Sequence, residues 1–328
     1  MFSELLLDIL ADGQPHRLEE LKVRTLLDES KIYESLSFLV GAGLPICMDS
    51  NLYTLKEGVE LLNRDLIIAR LINMGFDEPI SLTVFTCIDS TSNWMLGKLK
   101  DQPAGSRVHV CLSEMQTQGR GRLGRHWQSP LCQNLYVSFG VQFNAPIQSL
   151  RGLSVAVGLS LADLLHGKYG IDDIKVKWPN DLLINGGKVG GILVDVISGT
   201  DDNNCQAIIG VGLNVHAAPE IPMAAGYHSA CLSSYSAEGI SRNELSADVI
   251  QRVCKTITKF PGNDLGGVLG VWKHFDALFN QELSVFQHEK CIVVGRATGI
   301  SKDGELLVDD GRSIRVVSSG EVSLRSDL

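Results

Sequence analysis

Apolar positions in the first 65 residues follow a helical period and then the shorter period of strands. Helices are predicted near the start of the chain, over 18–27 and over 29–40, and Gly41-Ala42-Gly43 ends the last of them. Two short strands, 45–48 and 52–55, follow. Three helices and a hairpin predict a winged helix-turn-helix, whose third helix would enter the major groove of DNA. The residues of that helix predicted to point inward are Ile32, Leu36, Leu39 and Val40.

The rest of the chain predicts two further domains. Hydrophobic stretches up to about 278 predict a mixed-sheet α/β domain, and five short strands after that predict a small SH3-like β-barrel. The fold class is therefore α+β with three domains, at 1–65, 66–278 and 279–328. The predicted strands of the central domain are 81–88, 108–114, 135–141, 174–177, 189–196 and 207–214, and its predicted helices are 93–100, 150–169 and 244–259.

Composition and charge exclude several classes of protein. The 328 residues are 44% hydrophobic and 20% charged, which excludes global disorder. No apolar stretch approaches the roughly 20 residues that cross a bilayer, and the first residues lack the basic region of a signal peptide. Eight scattered cysteines without a Cys-x-x-Cys pair favour reduced thiols in a cytoplasmic protein. The net charge of −9 argues against a surface that binds nucleic acid throughout.

The loop 119–127 carries the strongest chemical signal. Its sequence, GRGRLGRHW, places Arg120, Arg122 and Arg125 within six residues. Three glycines allow the backbone N–H groups to approach a ligand, and arginine matches phosphate or carboxylate oxygens in bidentate fashion. Trp127 could stack on a planar ring. The loop predicts binding of a small anion such as a nucleotide phosphate. The alternative is a flexible loop that contacts nucleic acid nonspecifically or simply stays solvated.

Polar residues also follow a predicted strand in the segment KWPND. Pro179 forbids continuation of a central strand, so Asn180 and Asp181 are predicted to lie in a turn. Their side chains could meet a metal-bound phosphate, or could serve the turn alone.

Lys188 follows the hairpin turn Asn185-Gly186, which places it at the start of a returning strand. Alternation along that strand predicts Gly190 and Ile192 on the same face, so the glycine leaves a hollow beside the lysine. The alternative is a solvated charge at a sheet edge. The strand that ends in Asn214 repeats the glycine pattern.

Together these segments resemble the biotin–protein ligase family, in its form with an amino-terminal DNA-binding domain, the bifunctional ligase and biotin-operon repressor. The resemblance covers nearly the whole chain. It rests on Asp89-Ser90-Thr91, Gln116 with the GRGRxGRxW loop, KWPNDL, KxGGIL, GxGLN and the terminal segment 320–326.

The resemblance implies a two-step reaction. Biotin and Mg-ATP would form biotinyl-5′-AMP and pyrophosphate, and the biotinyl group would pass to a lysine of the biotin carboxyl carrier protein of acetyl-CoA carboxylase. ATP and Mg²⁺ are thus the expected cofactors and biotin the substrate. Operator DNA and a homodimer in the adenylate-bound state are the other partners that it implies, and no membrane is expected.

The resemblance also implies roles for individual residues. Arg122 and Lys188 would be catalytic, because two anions must meet when the biotin carboxylate attacks the α-phosphate. The expected biotin-binding residues are Ser90, Thr91, Ser92, Gln116, Arg120, Gly121, Arg122 and Lys188. The expected ATP and adenylate residues are Arg120, Arg125, Trp127, Asn180, Asp181 and Asn214, with Asp181 as a Mg²⁺ ligand. The segment 216–236 resembles the loop that orders over the adenylate.

Two features depart from the family pattern. Where the family usually has Ser-Thr-Asn, this chain reads Ser90-Thr91-Ser92-Asn93, so either Ser92 replaces the asparagine or Asn93 reaches in. The first 65 residues hold six Lys/Arg and twelve Asp/Glu, a net charge of −6. Because Lys and Arg supply most nonspecific DNA affinity, either a repressor or a domain kept for folding or dimer contact remains open.

Two other functions compete with the ligase. A lipoate–protein ligase shares the catalytic architecture, but the arginine loop with KWPND belongs to the biotin branch. A biotin-sensing transcription regulator without ligase activity predicts a damaged catalytic loop, whereas Arg122 and Lys188 are both present.

Overall fold

The computed structural model describes residues 2–56, 58–100, 108–198, 203–220, 228–260, 265, 269–287, 290–318 and 322–326. Three helices and a three-stranded antiparallel sheet form its amino-terminal part. They are α1 (Phe2–Leu10), β1 (His16–Arg17), α2 (Leu18–Thr25), α3 (Glu29–Gly41), β2 (Ile46–Asp49) and β3 (Leu52–Leu55), with strand order β1-β3-β2. The side chain of Asp28 caps α3 by accepting a hydrogen bond from the backbone N–H of Lys31.

The inward face of α3 differs from its prediction at one position. Ile32, Leu36 and Leu39 are buried, but Val40 is 44% exposed. Val40 lies about 100° around the helix from Leu39, at the edge of the buried stripe that is formed by Ile32, Ser35, Leu36 and Leu39. The prediction that Val40 points inward is therefore wrong.

His16 is buried where α1 and α2 meet. One ring nitrogen lies 3.0 Å from Asp12 Oδ1, and the other lies 2.8 Å from Glu20 Oε1. Burial lowers the pKa of His16, but the two hydrogen bonds outweigh it and raise that pKa above the usual 6.5. The hydrogen bond with His16 lowers the pKa of Asp12 and of Glu20.

The stability of the amino-terminal part should therefore depend on pH. The His16 contribution is complete below about pH 6.5 and is lost as the pH rises through the raised pKa, whereas the carboxylate contributions are lost in acid. Urea unfolding of the wild type and of His16→Gln checks this. The stability difference between them should be smaller at about pH 8.5 than at about pH 5.5. An equal difference at both values would contradict the ion-pair interpretation.

A seven-stranded mixed sheet with helices forms the centre of the molecule. The strand order is β4-β5-β6-β10-β9-β8-β7, in which β4 and β5 are parallel and the other neighbours antiparallel. The mixed sheet of the prediction is thus confirmed. The elements are α4 (Arg64–Asn73), β4 (Ile80–Ile88), α5 (Thr91–Lys100), β5 (Val108–Gln116), β6 (Leu135–Phe143), α6 (Leu153–Tyr169), β7 (Ile174–Lys177), β8 (Asp181–Ile184), β9 (Gly187–Ser198), β10 (Cys205–Leu213), α7 (Arg242–Lys259) and α8 (Leu269–Phe275).

A five-stranded antiparallel sheet follows at the carboxyl end. Its strands are β11 (Glu282–Gln287), β12 (Lys290–Ile300), β13 (Leu306–Asp309), β14 (Ile314–Val317) and β15 (Val322–Ser326), in the order β14-β13-β12-β11-β15. Leu283 and Val308 of this sheet belong to the same apolar cluster as Leu153 of α6. The indole N–H of Trp178 donates to the carbonyl of Gly304 at 2.9 Å. The last sheet therefore shares its core with the central part, and the division at 278 stays a prediction.

The buried side chain of Arg242 links the centre to the segment that leads out of the amino-terminal part. Arg242, at the start of α7, is fully buried and lies 2.6 Å from the carboxylate of Glu114 on β5. It also donates to the backbone carbonyl of Glu60, in the segment that leads out of the amino-terminal part. The carboxylate of Glu60 in turn accepts from the backbone N–H of Arg242 at 2.6 Å. None of the helices in the described ranges is both long and apolar enough to cross a membrane.

Candidate active site

Glycines of β9 and β10 form a floor on one face of the central sheet, and Ser92 and Trp127 pack against it. Gly210 and Gly212 alternate along β10, and Gly212 pairs with Gly191 of β9. A Cβ placed on Gly210 would lie 3.0 Å from Ser92 Oγ, and one on Gly212 would lie 2.6 Å from the Trp127 indole. This surface is called the glycine floor below, and any side chain added to it would fill the space that it leaves.

A cluster of buried polar side chains lies at one end of the glycine floor. The N-terminus of α5 brings Thr91 and Ser92 against Ser138 of β6, with Oγ1–Oγ and Oγ–Oγ distances of 2.8 and 3.0 Å. Gln116 Oε1 accepts from both the backbone N–H and the hydroxyl of Thr91, at 2.9 and 3.1 Å. Gln116 Nε2 donates to Ser129 Oγ at 3.0 Å. The sequence predicted Thr91, Ser92 and Gln116, but not Ser129 or Ser138.

The structure distinguishes Ser92 from Asn93. Ser92 is buried over the glycine floor, whereas Asn93 Nδ2 donates outward to Asp89 Oδ2 at 3.0 Å. Ser92 thus occupies the inward position where the family usually has asparagine. Ser90 is also buried, and its hydroxyl accepts from the backbone N–H of Asn93 at 3.4 Å, so its contacts here are those of a helix start.

Lys188 lies at the other end of the floor, but not on the face that alternation predicts. A bulge between β8 and β9 shifts the register at this point, so Lys188 Nζ lies 3.6 Å from a Cβ placed on Gly191 rather than beside Gly190. A bulge adds one residue to a strand and reverses the faces that follow. The predicted pairing of Lys188 with Gly190 is therefore wrong, although the predicted hollow exists beside Gly191.

Asp181 holds the Lys188 ammonium. The Nζ–Oδ1 distance is 2.6 Å, and the two side chains are only 15% and 14% exposed. Asp181 also raises the pKa of Lys177, although burial, the larger effect, lowers that pKa. Asp181 begins β8 and pairs with Lys177 across the turn, so the prediction that Asp181 lies in the turn is wrong, whereas Asn180 does lie there. Three cations, counting Arg122, thus surround one carboxylate.

The three loop arginines lie in different places. Arg122 donates to Asn180 Oδ1 at 3.1 Å, beside Asp181. Burial lowers the pKa of Arg122, against the opposing effect of Asp181, yet a guanidinium stays charged at neutral pH. Arg120 instead forms an ion pair with Asp195 of β9 at 2.9 Å, and Arg125 is exposed. Of the three loop arginines, Arg122 is therefore the one that lies beside the Lys188–Asp181 ion pair.

Trp127 covers the middle of the glycine floor. Its ring lies against Gly212 and Gly191, with the Lys188 ammonium 5.5 Å from the ring centroid. Its indole N–H is buried and finds no hydrogen-bond partner in the described part of the chain. The backbone N–H of Gly121 donates to the carbonyl of Arg125 at 2.8 Å, and this hydrogen bond closes the short turn of the loop.

Asn214 is buried just after the end of β10, and its side chain is hydrogen-bonded to the segment around Ala230. Its Nδ2 group donates to the carbonyls of Lys188 and Ala230, at 3.3 and 3.0 Å. Its Oδ1 atom is buried without a partner among the described residues. The predicted loop 216–236 includes residues 221–227, which lie outside the described residues.

The surroundings of Asp181 fit an ion-pair partner better than a Mg²⁺ ligand. Lys188 already occupies one carboxylate oxygen at 2.6 Å, and two more cations lie close by. Across the described ranges, no group of three His, Cys, Asp or Glu side chains could hold a metal ion. Mg²⁺ is commonly carried by substrate phosphates with one or two carboxylates, so its role here stays a prediction.

Comparison with known proteins supplies the context for this geometry. Residues 84–214 match the model of the biotin/lipoate A/B protein ligase family, and residues 288–325 match the biotin protein ligase C terminal domain. The bifunctional ligase/repressor BirA of Escherichia coli (strain K12) is 30% identical over 322 residues, covering 98% of this chain and 96% of that protein. The biotin–[acetyl-CoA-carboxylase] ligase of Mycobacterium tuberculosis is 30% identical over 216 residues, covering 65% of this chain and 77% of that protein. The biotin protein ligase of Aquifex aeolicus in complex with biotin and ATP superposes with a TM-score of 0.62 at 28% identity, over 75% of this chain and 99% of that one.

Proposed function

This chain belongs to the biotin/lipoate A/B protein ligase family, and from that premise we propose that biotin lies on the glycine floor between Ser92 and Lys188. The chain is an ATP-dependent biotin protein ligase. It activates biotin as biotinyl-5′-AMP with release of pyrophosphate and transfers the biotinyl group to a lysine of a biotin carboxyl carrier protein.

The observation that carries the proposed site is the chemistry at the two ends of the floor. Buried hydroxyl and amide groups around Thr91 suit a small polar ring, and the Lys188 ammonium suits a carboxylate. The glycines between them would leave an apolar path for a short hydrocarbon chain once the Trp127 indole moves aside. Biotin has a polar ureido ring, a hydrocarbon tail and a terminal carboxylate, in that order.

The cations beside Asp181 serve the adenylation step. A carboxylate oxygen of biotin attacks the α-phosphorus of ATP, the bond to pyrophosphate breaks, and two anions must approach each other. An ammonium has three N–H donors, so Lys188 can hold the biotin carboxylate while it keeps its contact with Asp181. Arg122 lies next to this pair and would stabilise the charge that develops on the phosphate. No step here depends on a protein-held Mg²⁺ ion.

The other expected nucleotide contacts remain proposals. Arg120 and Arg125 lie at the rim of the site and would approach the adenylate only if the loop moved. Asn180 accepts a hydrogen bond from Arg122. Asn214 Oδ1, which has no partner among the described residues, is an acceptor beside the backbone of Lys188. We propose that Gly121 allows the loop to turn tightly where it passes over the biotin tail.

Exchange of labelled pyrophosphate into ATP tests the function. The exchange should require biotin, and lipoate should not replace it. Absence of biotin-dependent exchange with folded protein would refute the ligase, and exchange driven by lipoate would favour a lipoate–protein ligase. Exchange at a normal rate also rules out a regulator that only senses biotin.

Biotin binding should change the fluorescence of Trp127. Its indole covers the part of the floor where we place the biotin tail, so the ligand must displace it. Emission spectra recorded during a biotin titration provide the measurement. The change should disappear in Trp127→Phe and persist in Trp272→Phe, since Trp272 is held by Asp276 at 2.8 Å, outside the site. A change that survives in Trp127→Phe would contradict this placement.

Transcriptional repression is a second candidate function, because the E. coli relative is named a ligase/repressor. We propose that the amino-terminal part is a winged helix-turn-helix with α3 as its recognition helix. Its charge does not favour DNA. Of the six basic side chains in the first 65 residues, four pair with acidic neighbours: Lys22 with Glu19, Arg24 with Glu20, Lys31 with Asp28 and Arg64 with Asp65.

DNA binding should therefore be weak at physiological salt. Few lysines and arginines remain to neutralise phosphates, and neutralisation supplies most nonspecific affinity. Gel-shift titrations with the upstream DNA of biotin-synthesis genes, with and without biotin and ATP, measure it. A tight, salt-sensitive shift that biotin and ATP strengthen would establish the repressor instead.

Two copies of the chain could form a homodimer by pairing along an edge of the central sheet. Strand β8 pairs only as far as Gly191, and Asn180 accepts from the backbone N–H of Ile192 and donates to its carbonyl. Among the described strands, the segment 193–198 of β9 therefore has a partner on one side alone. We propose that adenylate-bound chains pair along this edge, where Arg120 meets Asp195. Sedimentation with and without biotinyl-5′-AMP tests the proposal, and a monomer under both conditions would refute it.

A further inference from the structure

The buried hydroxyl groups at the ureido end of the proposed site form a chain whose proton positions can be deduced. The chain runs from Ser92 through Ser138 and Thr91 to Gln116. Each hydroxyl owns one proton, and each hydrogen bond uses one. Two oxygen atoms about 3 Å apart must have a proton between them, because otherwise their lone pairs repel.

Gln116 sets the direction of the chain. The backbone N–H of Thr91 can only donate, and it lies 2.9 Å from Gln116 Oε1. The amide oxygen therefore faces Thr91, and the amide nitrogen faces Ser129 at 3.0 Å. The orientation of the Gln116 amide follows from its hydrogen-bond partners, because only an oxygen can accept from the Thr91 backbone N–H.

The remaining protons follow in sequence. An amide oxygen has no proton, so the Thr91 hydroxyl must donate to Gln116 across 3.1 Å. Because the Thr91 hydroxyl already donates its proton to Gln116, it must accept from the Ser138 hydroxyl across 2.8 Å. Ser138 must then accept from Ser92 across 3.0 Å. The Ser92 hydroxyl thus directs its proton into the protein interior, and its remaining lone pairs face away from it.

We propose that Ser138 is a positioning residue that fixes Ser92 as a hydrogen-bond acceptor for one ureido N–H group of biotin. The proposal rests on the proposed binding of biotin to the glycine floor. Ser138 itself is fully buried between Cys111 and Gly210 in the sheet and acts only through Ser92 and Thr91. Ser92 Oγ lies directly above Gly210, where no side chain intervenes.

The direction of these hydrogen bonds limits which ligand groups Ser92 can bind. An asparagine there could offer both a donor and an acceptor, whereas Ser92 with its proton committed offers an acceptor alone. A ligand that presents an acceptor oxygen to Ser92 would place lone pairs against lone pairs. The site should therefore reject such a ligand, and Ser138 should be the reason.

Cyclic carbamate analogues of biotin, in which an oxygen replaces one of the two ureido N–H groups, test the proposal. Pyrophosphate exchange gives kcat and KM for biotin and for both analogues. The wild type should bind one analogue at least about tenfold more weakly than biotin, through KM rather than kcat. Ser138→Ala frees the Ser92 proton to turn toward the ligand, so this discrimination should shrink several-fold, and KM for biotin should rise less than it does in Ser92→Ala.

A second variant separates the two serines. Ser92→Ala removes the acceptor itself, so the discrimination should also shrink, but KM for biotin should rise about tenfold. Ser246→Ala is the matched control, because that buried hydroxyl donates to the carbonyl of Arg242 on α7, away from the site. It should keep the wild-type discrimination.

The outcomes distinguish this proposal from the proposed function. Undiminished discrimination in an active Ser138→Ala overturns the role of Ser138, and undiminished discrimination in Ser92→Ala overturns the acceptor. Equal use of biotin and both analogues by the wild type overturns the proposal as well. No biotin-dependent exchange in the wild type overturns the proposed function, and this assignment with it.

Discussion

Replacing Lys188 with alanine should lower kcat/KM for biotin-dependent pyrophosphate exchange about 100-fold, with the fold intact. Loss of one preorganised donor at a developing charge commonly costs a factor of 100 to 1000. Lys188 is the cation at the end of the glycine floor where we place the biotin carboxylate, and it lies within 2.6 Å of Asp181. Its removal leaves Asp181 to repel both the carboxylate and the phosphate. Steady-state exchange kinetics and biotin titrations measure the effect.

Lys175→Ala is the matched control for this variant. Lys175 lies on β7 and donates to the carbonyl of His274 at 2.8 Å, away from the floor. Its loss should leave the exchange within about twofold of the wild type, in keeping with a surface substitution. If Lys188→Ala kept normal kinetics, the carboxylate contact would lie elsewhere, and Arg122 would be the next residue to substitute.

Replacing Arg242 with methionine should destabilise the protein by about 3–5 kcal/mol, the usual cost of removing one partner from a buried ion pair. Arg242 is fully buried, and its loss would leave the Glu114 carboxylate without its countercharge. Methionine fills much of the volume, so the effect would report charge rather than a cavity. Urea unfolding followed at several probes measures it, since a chain with several parts need not unfold in one step.

Arg252→Ala provides the comparison on the same helix. Arg252 pairs with Asp163 at 2.7 Å, but the two side chains are 37% and 51% exposed. Exposed pairs contribute about 0–1 kcal/mol because water and salt screen them. Similar losses of stability in the two variants would mean that Arg242 is not acting as a buried charge. A loss confined to the amino-terminal part would instead locate its effect at Glu60.

Local sequence patterns predicted most elements of the sheet and the third helix. Strand 174–177 and strand 52–55 coincide with β7 and β3, and the other predicted strands differ from the structure by at most two residues at either end. These strands alternate or run apolar over several residues, which is a strong signal. Helix α4 was missed because it buries only Ile67 and Leu71, too few to form a periodic stripe.

Errors in the site arose where pairing between strands overrides alternation. Lys188 follows a reliable hairpin turn, yet the β8–β9 bulge moves it beside Gly191. A bulge depends on the partner strand, so the sequence around Lys188 contains no sign of it. Ser138 was missed for a similar reason. It is one serine in an apolar strand, and only the packing of α5 on β6 shows that its hydroxyl meets two others.

The sequence alone determined most of the strands, because turn residues and periodicity act over short stretches of chain, and its short motifs carried the resemblance to the family. The tertiary structure decided which side chains meet. It selected Arg122 from three loop arginines, Ser92 over Asn93, and Asp181 as the partner of Lys188. It also revealed the Arg242–Glu114 pair, whose members lie 128 positions apart. Such contacts depend on strand order, register and burial, which no single segment encodes.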